Sequence, residues 1–100
     1  LTSISIPSNI TSVGDYAFYS CTALRNVLIS DRLISIGNYS FKGCSSLESI
    51  TILSTTPPIL GSNVFPPNVT TITVPVGCGN AYKTADGWSA YADKIVEATA

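Results

Sequence analysis

The sequence predicts an α/β solenoid, and three observations carry the prediction. The pattern Leu1-Thr2-Ser3-Ile4-Ser5-Ile6-Pro7 returns as Leu24-Arg25-Asn26-Val27-Leu28-Ile29-Ser30, Leu47-Glu48-Ser49-Ile50-Thr51-Ile52-Leu53 and Val69-Thr70-Thr71-Ile72-Thr73-Val74-Pro75, with starts 23, 23 and 22 residues apart. In each copy apolar residues stand at the first, fourth and sixth positions, and in three of the four the fifth is polar, the signature of a strand with one buried face. Between the first copies the same succession of glycine, phenylalanine and cysteine recurs. A fixed period of this size marks units that bury their apolar sides only by stacking on one another. The expected architecture has coils of about 23 residues, a parallel sheet on one face, and short second strands with short helical turns on the other. Coils starting at 1, 24, 47 and 69 fill residues 1–76, and residues 77–100 form a helical cap of the same domain.

In the first coil Leu1, Ile4 and Ile6 point inward and Ser3 and Ser5 outward. Pro7, Ser8 and Asn9 end that strand. Residues 10–13 form a second extended piece whose ends, Ile10 and Val13, both face the core. Gly14 permits a sharp turn. Asp15 is placed as N-cap of a helical turn over residues 16–20, with Phe18 and Cys21 on one face. The second coil matches nearly position for position: Leu33 and Ile36 for Ile10 and Val13, Gly37 for Gly14, Asn38 as cap, Tyr39 over Tyr16, Phe41 and Cys44 for Phe18 and Cys21.

The third coil keeps its strand and then departs. Thr55-Thr56-Pro57-Pro58 replaces the polar turn, Ile59 and Gly61 approximate the Val-Gly step, and Phe65 stands for the buried phenylalanine before Pro66-Pro67, with no cysteine following. Paired prolines fix extended backbone and remove donors, so little or no helix is expected there. After Val74-Pro75 the period becomes helical. Residues 80–86 read as a short helix capped by Asn80 and ended by Gly87, and residues 88–92 as a second helical turn. Residues 94–97 read as a last extended piece. Tyr82, Trp88, Tyr91 and Ile95 are the residues expected to cover the last coil.

Composition excludes several functions. The net charge is −1 and 11% of residues are charged, with both signs scattered, so no basic stripe exists to neutralise phosphates. Nucleic acid is not an expected partner. No apolar run is long enough to span a membrane. About a quarter of the chain is serine or threonine. There is no histidine, and the three cysteines lack metal-ligand spacing, so neither a metal site nor a cofactor is expected. Catalysis needs a partnered acid, base or nucleophile; the carboxylates are few and dispersed, and the protein is not expected to be an enzyme. Cys21 and Cys44 stand one coil apart with parallel Cβ vectors, which favours stacked buried thiols over a disulfide. Cys78 lies between two glycines as the leftover thiol.

The unit Leu-x-x-Ile-x-Ile-Pro-x-x-Ile-x-x-Val-Gly-x-x-Ala-Phe-x-x-Cys of residues 1–21 resembles the BspA-like leucine-rich repeats of bacterial surface and secreted proteins. The tail looks like the closing segment of that family: Val74-Pro75-Val76-Gly77, Ala81-Tyr82-Lys83, Asp86-Gly87-Trp88 and Tyr91 through Ile95. Cys78 departs from it, where a small polar residue is usual. The resemblance implies a right-handed leucine-rich-repeat superhelix, an extracellular or cell-surface location, and adhesion to host or matrix proteins.

The outer face of the parallel sheet is the expected binding surface, since equivalent side chains repeat there at strand spacing. Its candidates are Ser5, Asn26, Leu28, Ser49, Thr51, Thr71 and Thr73, joined by Ser3. The bland reading is a solvated sheet whose hydroxyls support strand pairing. Tyr16, Tyr19 and Tyr39 form a second candidate patch suited to sugar or protein contacts; stacked rings covering the coil edge are the simpler reading. Trp88 and Tyr91 read as cap core. Asn9, Asn38 and Asn68 each begin an Asn-x-Ser/Thr acceptor pattern; such matches arise easily in a chain this rich in serine and threonine, and a bacterial source would make them silent. The functional expectation is a noncatalytic protein- or glycan-binding module, the C-terminal part of a longer adhesin-like protein. The alternative is a structural spacer and cap with no ligand of its own. The edge at Leu1 to Ile6 is expected to invite self-association.

Overall fold

The computed structural model describes residues 3–98. The alternating segments become strands β1 (Ser3–Ile6), β3 (Asn26–Ile29), β5 (Ser49–Ile52) and β7 (Thr71–Val74). They lie side by side in a parallel sheet with β8 (Ile95–Glu97), in the order β1-β3-β5-β7-β8. Register follows the sequence repeat: Ile4 pairs with Val27, Val27 with Ile50, Ile50 with Ile72, and Ile72 with Ile95. Two-residue strands β2 (Ser12–Val13), β4 (Ser35–Ile36) and β6 (Ile59–Leu60) make a second parallel sheet in that order. Two stacked parallel sheets with few helices fit a solenoid-like fold.

The core lies between the sheets and the turns that join them. Val27, Ile29, Leu47, Ile50, Ile52, Ile72 and Val74 are all buried, each such side chain contributing roughly 1.5–3 kcal/mol by leaving water. Phe18, Phe41 and Phe65 stack through successive repeats, with centroids 5.1 and 5.7 Å apart. Leu1, the first apolar position of the pattern, lies outside the described residues.

The expected helical turn after Gly14 is not helical. Residues 15–20 and 38–43 are hydrogen-bonded turns, and Tyr16, Ser20, Tyr39 and Gly43 have positive φ. Hydrogen-bond accounting gives the reason. The N–H groups of Tyr16, Phe18 and Ser20 donate across to Asn38 O, Ser40 O and Lys42 O at 2.8–2.9 Å, while those of Ala17, Tyr19 and Cys21 donate within the repeat to Gly14 O, Tyr16 O and Phe18 O. A helix would satisfy only the second kind. The turns thus form a third ladder between repeats.

Asp15 and Asn38 are correspondingly not helix caps. Asp15 Oδ1 accepts the Asn38 N–H at 2.7 Å, and Asn38 Oδ1 accepts the Ser62 N–H at 2.8 Å. Two further expectations are corrected and one position is added. Ile10 is exposed while its equivalent Leu33 is buried, because the first repeat has a neighbour on one side only among the described residues. Leu60, not Ile59, pairs with Ile36; Ile59 is 70% exposed, the insertion in the third repeat having moved the inward position by one. Asn68 stands where Cys21 and Cys44 stand, three residues after its phenylalanine, and its Nδ2 donates to Cys44 O and Leu47 O at 3.2 and 2.7 Å.

The chain after β7 folds back over the last repeat. Helix α1 (Gly79–Thr84) starts one residue before the expected cap: Cys78 is the N-cap, without a side-chain bond, and Asn80 lies inside the first turn. A 3₁₀ segment (Trp88–Lys94), kinked at Tyr91, leads into β8. Tyr82 Oη donates to Ser54 O at 2.6 Å and Trp88 Nε1 to Pro58 O at 2.7 Å, both buried. Trp88 and Tyr91 both pack on Phe65, with centroids at 5.7 and 5.4 Å. Burial pushes the Tyr82 phenol well above its usual range. The extended piece expected at residues 94–97 is thus a fifth strand of the main sheet.

Candidate functional site

The pleat of the main sheet sends alternate side chains outward, and parallel pairing lines them up in rows. One row is Ser5, Leu28, Thr51, Thr73 and Val96; the other is Ser3, Asn26, Ser49 and Thr71. Every sheet-face candidate read from the sequence lies in one of these rows. Ser5, Asn26 and Leu28 are exposed, and Ser49, Thr51, Thr71 and Thr73 are half-buried by their neighbours. Ser49 Oγ donates to Asn26 Oδ1, so part of the second row's hydrogen-bonding capacity is spent between strands. Leu28 is 38% exposed and Val96 47%, and they sit at opposite sides of Thr51 and Thr73 in the first row.

Sequence reasoning did not place Val96 on this face. The signal was slight: Ile95 follows Ile72 by 23 residues, but residues 94–97 read Lys-Ile-Val-Glu and do not alternate. The segment is too short for periodicity alone to distinguish from a turn.

Beside the face the chemistry is mild. Arg25 and Glu48 pair at 3.6 Å on adjacent repeats, both largely exposed, a contact worth little in water. Asp31 and Arg32 are exposed at the lip of a shallow cavity of ≈ 360 Å³ between the second and third repeats, with Ile34 and Ile59 along its walls. Among the described residues no group of three or more His, Cys, Asp or Glu side chains could hold a metal ion, and no helix is long and apolar enough to cross a membrane. The cysteines are free thiols. Cys44 is buried and donates to Phe18 O at 3.1 Å; desolvation raises its pKa above the ordinary thiol value. Cys78 is partly buried against the core.

The turn ladder presents a second cluster. Tyr16 stacks on Tyr39 at 5.2 Å, Tyr19 meets Tyr16 edge-on at 5.4 Å, and Lys42 Nζ lies 5.1 Å from the Tyr39 ring centre. Of the three acceptor-pattern asparagines, Asn38 and Asn68 are tied into hydrogen bonds between repeats, and Asn9 lies exposed in a surface turn.

Comparison with known proteins agrees with this geometry. The family model described as BspA type Leucine rich repeat region matches residues 1–85 in 6 copies. No curated protein matches the chain.

Proposed function

The chain belongs to the BspA-type leucine-rich repeat family, and on that footing we propose that it is a noncatalytic binding module. It presents the outer face of its main sheet to a protein or glycan partner at a bacterial surface or in the secreted space, where such proteins are typically found. Membership suggests a repeat module of the kind often involved in binding. The observation that carries the reading is the pair of outward rows, Ser5-Leu28-Thr51-Thr73-Val96 and Ser3-Asn26-Ser49-Thr71, held in register by five strands. A rigid parallel sheet positions such rows at low entropic cost on binding.

Leu28 and Val96 supply the apolar contacts and the hydroxyls the orienting hydrogen bonds. The finer architecture proposed is a right-handed superhelix of about 23-residue coils closed by a helical cap. The adhesin-like role, with host or matrix protein or glycan as partner, fits an uncharged, hydroxyl-rich face better than a nucleic-acid or lipid surface would.

A second reading has its own support. The outward rows carry no aromatic and no charged residue, the groups that most often dominate binding energy. The segment from Gly79 onward meanwhile buries Tyr82 and Trp88 against the last repeat. On this reading the chain extends and closes a longer solenoid whose contacts lie elsewhere.

An array of host matrix proteins and glycans probed with this chain decides between the two. Binding that Leu28→Glu and Thr73→Glu each abolish supports the module. Absence of binding by the chain, together with binding by a longer protein containing it, supports the spacer.

A further inference from the structure

Tyr16 and Tyr39 occupy a backbone position that disfavours them. Their φ values are 60° and 58°, in the left-handed region where glycine or asparagine is the ordinary occupant. In the third repeat the neighbouring turn follows that rule, with Asn63 at φ 50°. The turn ladder accounts for the backbone conformation, because alternate N–H groups must point to the next repeat. It does not account for tyrosine, which adds strain that asparagine would avoid. Core packing does not account for Tyr16, and Tyr39 is half-buried with its ring stacked on Tyr16. The inward position of the same turn is filled by Phe18 and Phe41, while Tyr16 is 55% and Tyr19 50% exposed.

We propose that Tyr16, Tyr19 and Tyr39 form a sugar-binding site, with a neutral pyranose as ligand. Aromatic rings offer an apolar face to the C–H face of a sugar ring, and Tyr19 meets the Tyr16 ring edge-on with centroids 5.4 Å apart. Sugar hydroxyls both donate and accept. The cluster has one group of each kind at its margins: the Asp15 carboxylate, of which only Oδ1 is engaged among the described residues, and the Lys42 ammonium, which has no ion-pair partner among them. The two groups carry opposite charges and sum to zero, so the site matches an uncharged polyol better than an anionic ligand. None of the sheet-face residues takes part, and the inference stands or falls apart from the proposed function.

The test is a proton NMR titration of the chain with lactose, maltotriose and chitotriose, reading the tyrosine ring resonances, combined with thermal melts of Tyr16→Asn and Tyr39→Asn. The expected result is a saturable shift of the Tyr16, Tyr19 and Tyr39 rings with at least one saccharide, lost in Tyr16→Asn while its Tm stays level or rises. If none of the three saccharides moves these rings, the proposal fails. It fails equally if both substitutions lower the Tm and leave saccharide affinity unchanged, since the rings would then be a structural covering.

Discussion

Asp15 and Asn38 occupy the same place in successive repeats, and each uses its side-chain oxygen to hold a backbone N–H of the repeat that follows: Asn38 N at 2.7 Å and Ser62 N at 2.8 Å. This is capping turned sideways. The donors satisfied lie 23 and 24 residues away, not two or three. Close approach is part of the device: a Cβ added at Gly37 would lie 2.5 Å from Asp15 N, and one at Gly61 2.7 Å from Asn38 N.

Asn38→Ala removes the acceptor for Ser62 and is expected to cost roughly 0.5–2 kcal/mol, the range for losing a capping oxygen. Asn38→Asp keeps the acceptor and should cost much less. Urea melts of the two variants against the parent measure the difference; equal losses would mean that the amide nitrogen or the neutrality of Asn38, not its acceptor oxygen, matters at this position.

Ile50 lies between Val27 and Ile72 in the sheet and is fully buried. Ile50→Ala should cost roughly 2–5 kcal/mol through lost transfer energy and an unfilled cavity. Thr51→Ala, on the outer row, should cost well under half of that. Circular dichroism melts that reversed this order would put the register off by one residue.

Alkaline pH should unfold the protein through Tyr82. Its phenol is held well above the usual value, first by burial, with the Ser54 carbonyl as hydrogen-bond partner. The sign follows from linkage. Below about pH 10, the ordinary tyrosine value, the phenol is neutral in both states and its contribution is fully present. As pH rises past that point the unfolded chain ionises and the folded one does not, so stability falls until the folded value is reached. Burial of the Cys44 thiol acts in the same direction. Tyr82→Phe should lose roughly 1–3 kcal/mol at neutral pH, because the buried Ser54 carbonyl loses its donor, and should show a shallower alkaline decline. An unchanged slope in that variant would shift the effect to other groups.

Glu97 ties the last strand to the start of α1: its two carboxylate oxygens accept from Gly77 N, in the preceding loop, at 3.0 Å and from Gly79 N, the first helical residue, at 3.1 Å. Glu97→Ala should speed amide hydrogen exchange at Gly77 and Gly79 and leave Ile50 protected. Unaltered exchange at both glycines would show that the loop keeps its shape unaided.

What could be read from the sequence was whatever repeats strictly. Ile4, Val27, Ile50 and Ile72 keep the strand spacing, and the main-sheet register followed from it, as did the Phe18–Phe41–Phe65 stack. The turns were misread because Asp15 before Tyr16 looks like a local N-cap, whereas its donor belongs to the next repeat and local propensity carries no trace of it. Ile59 reads as inward because the Pro57-Pro58 insertion hides a one-residue shift, and the ladder role of Asn68 is hidden because asparagine replaces the cysteine found there in the earlier repeats. The outer rows were legible as positions. Val96 was not, because Ile95 and Val96 stand side by side as apolar residues and show no period-two pattern. The strain at Tyr16 and Tyr39 is a backbone property that a tyrosine in sequence does not advertise.

The central claim is that the outer face of the main sheet binds, and the most direct measurement is backbone amide NMR mapping with a partner selected from the array. The account predicts shifts concentrated at Ser5, Leu28, Thr51, Thr73 and Val96. Shifts confined to the second sheet, or to the segment around α1, with this row unmoved, would contradict it.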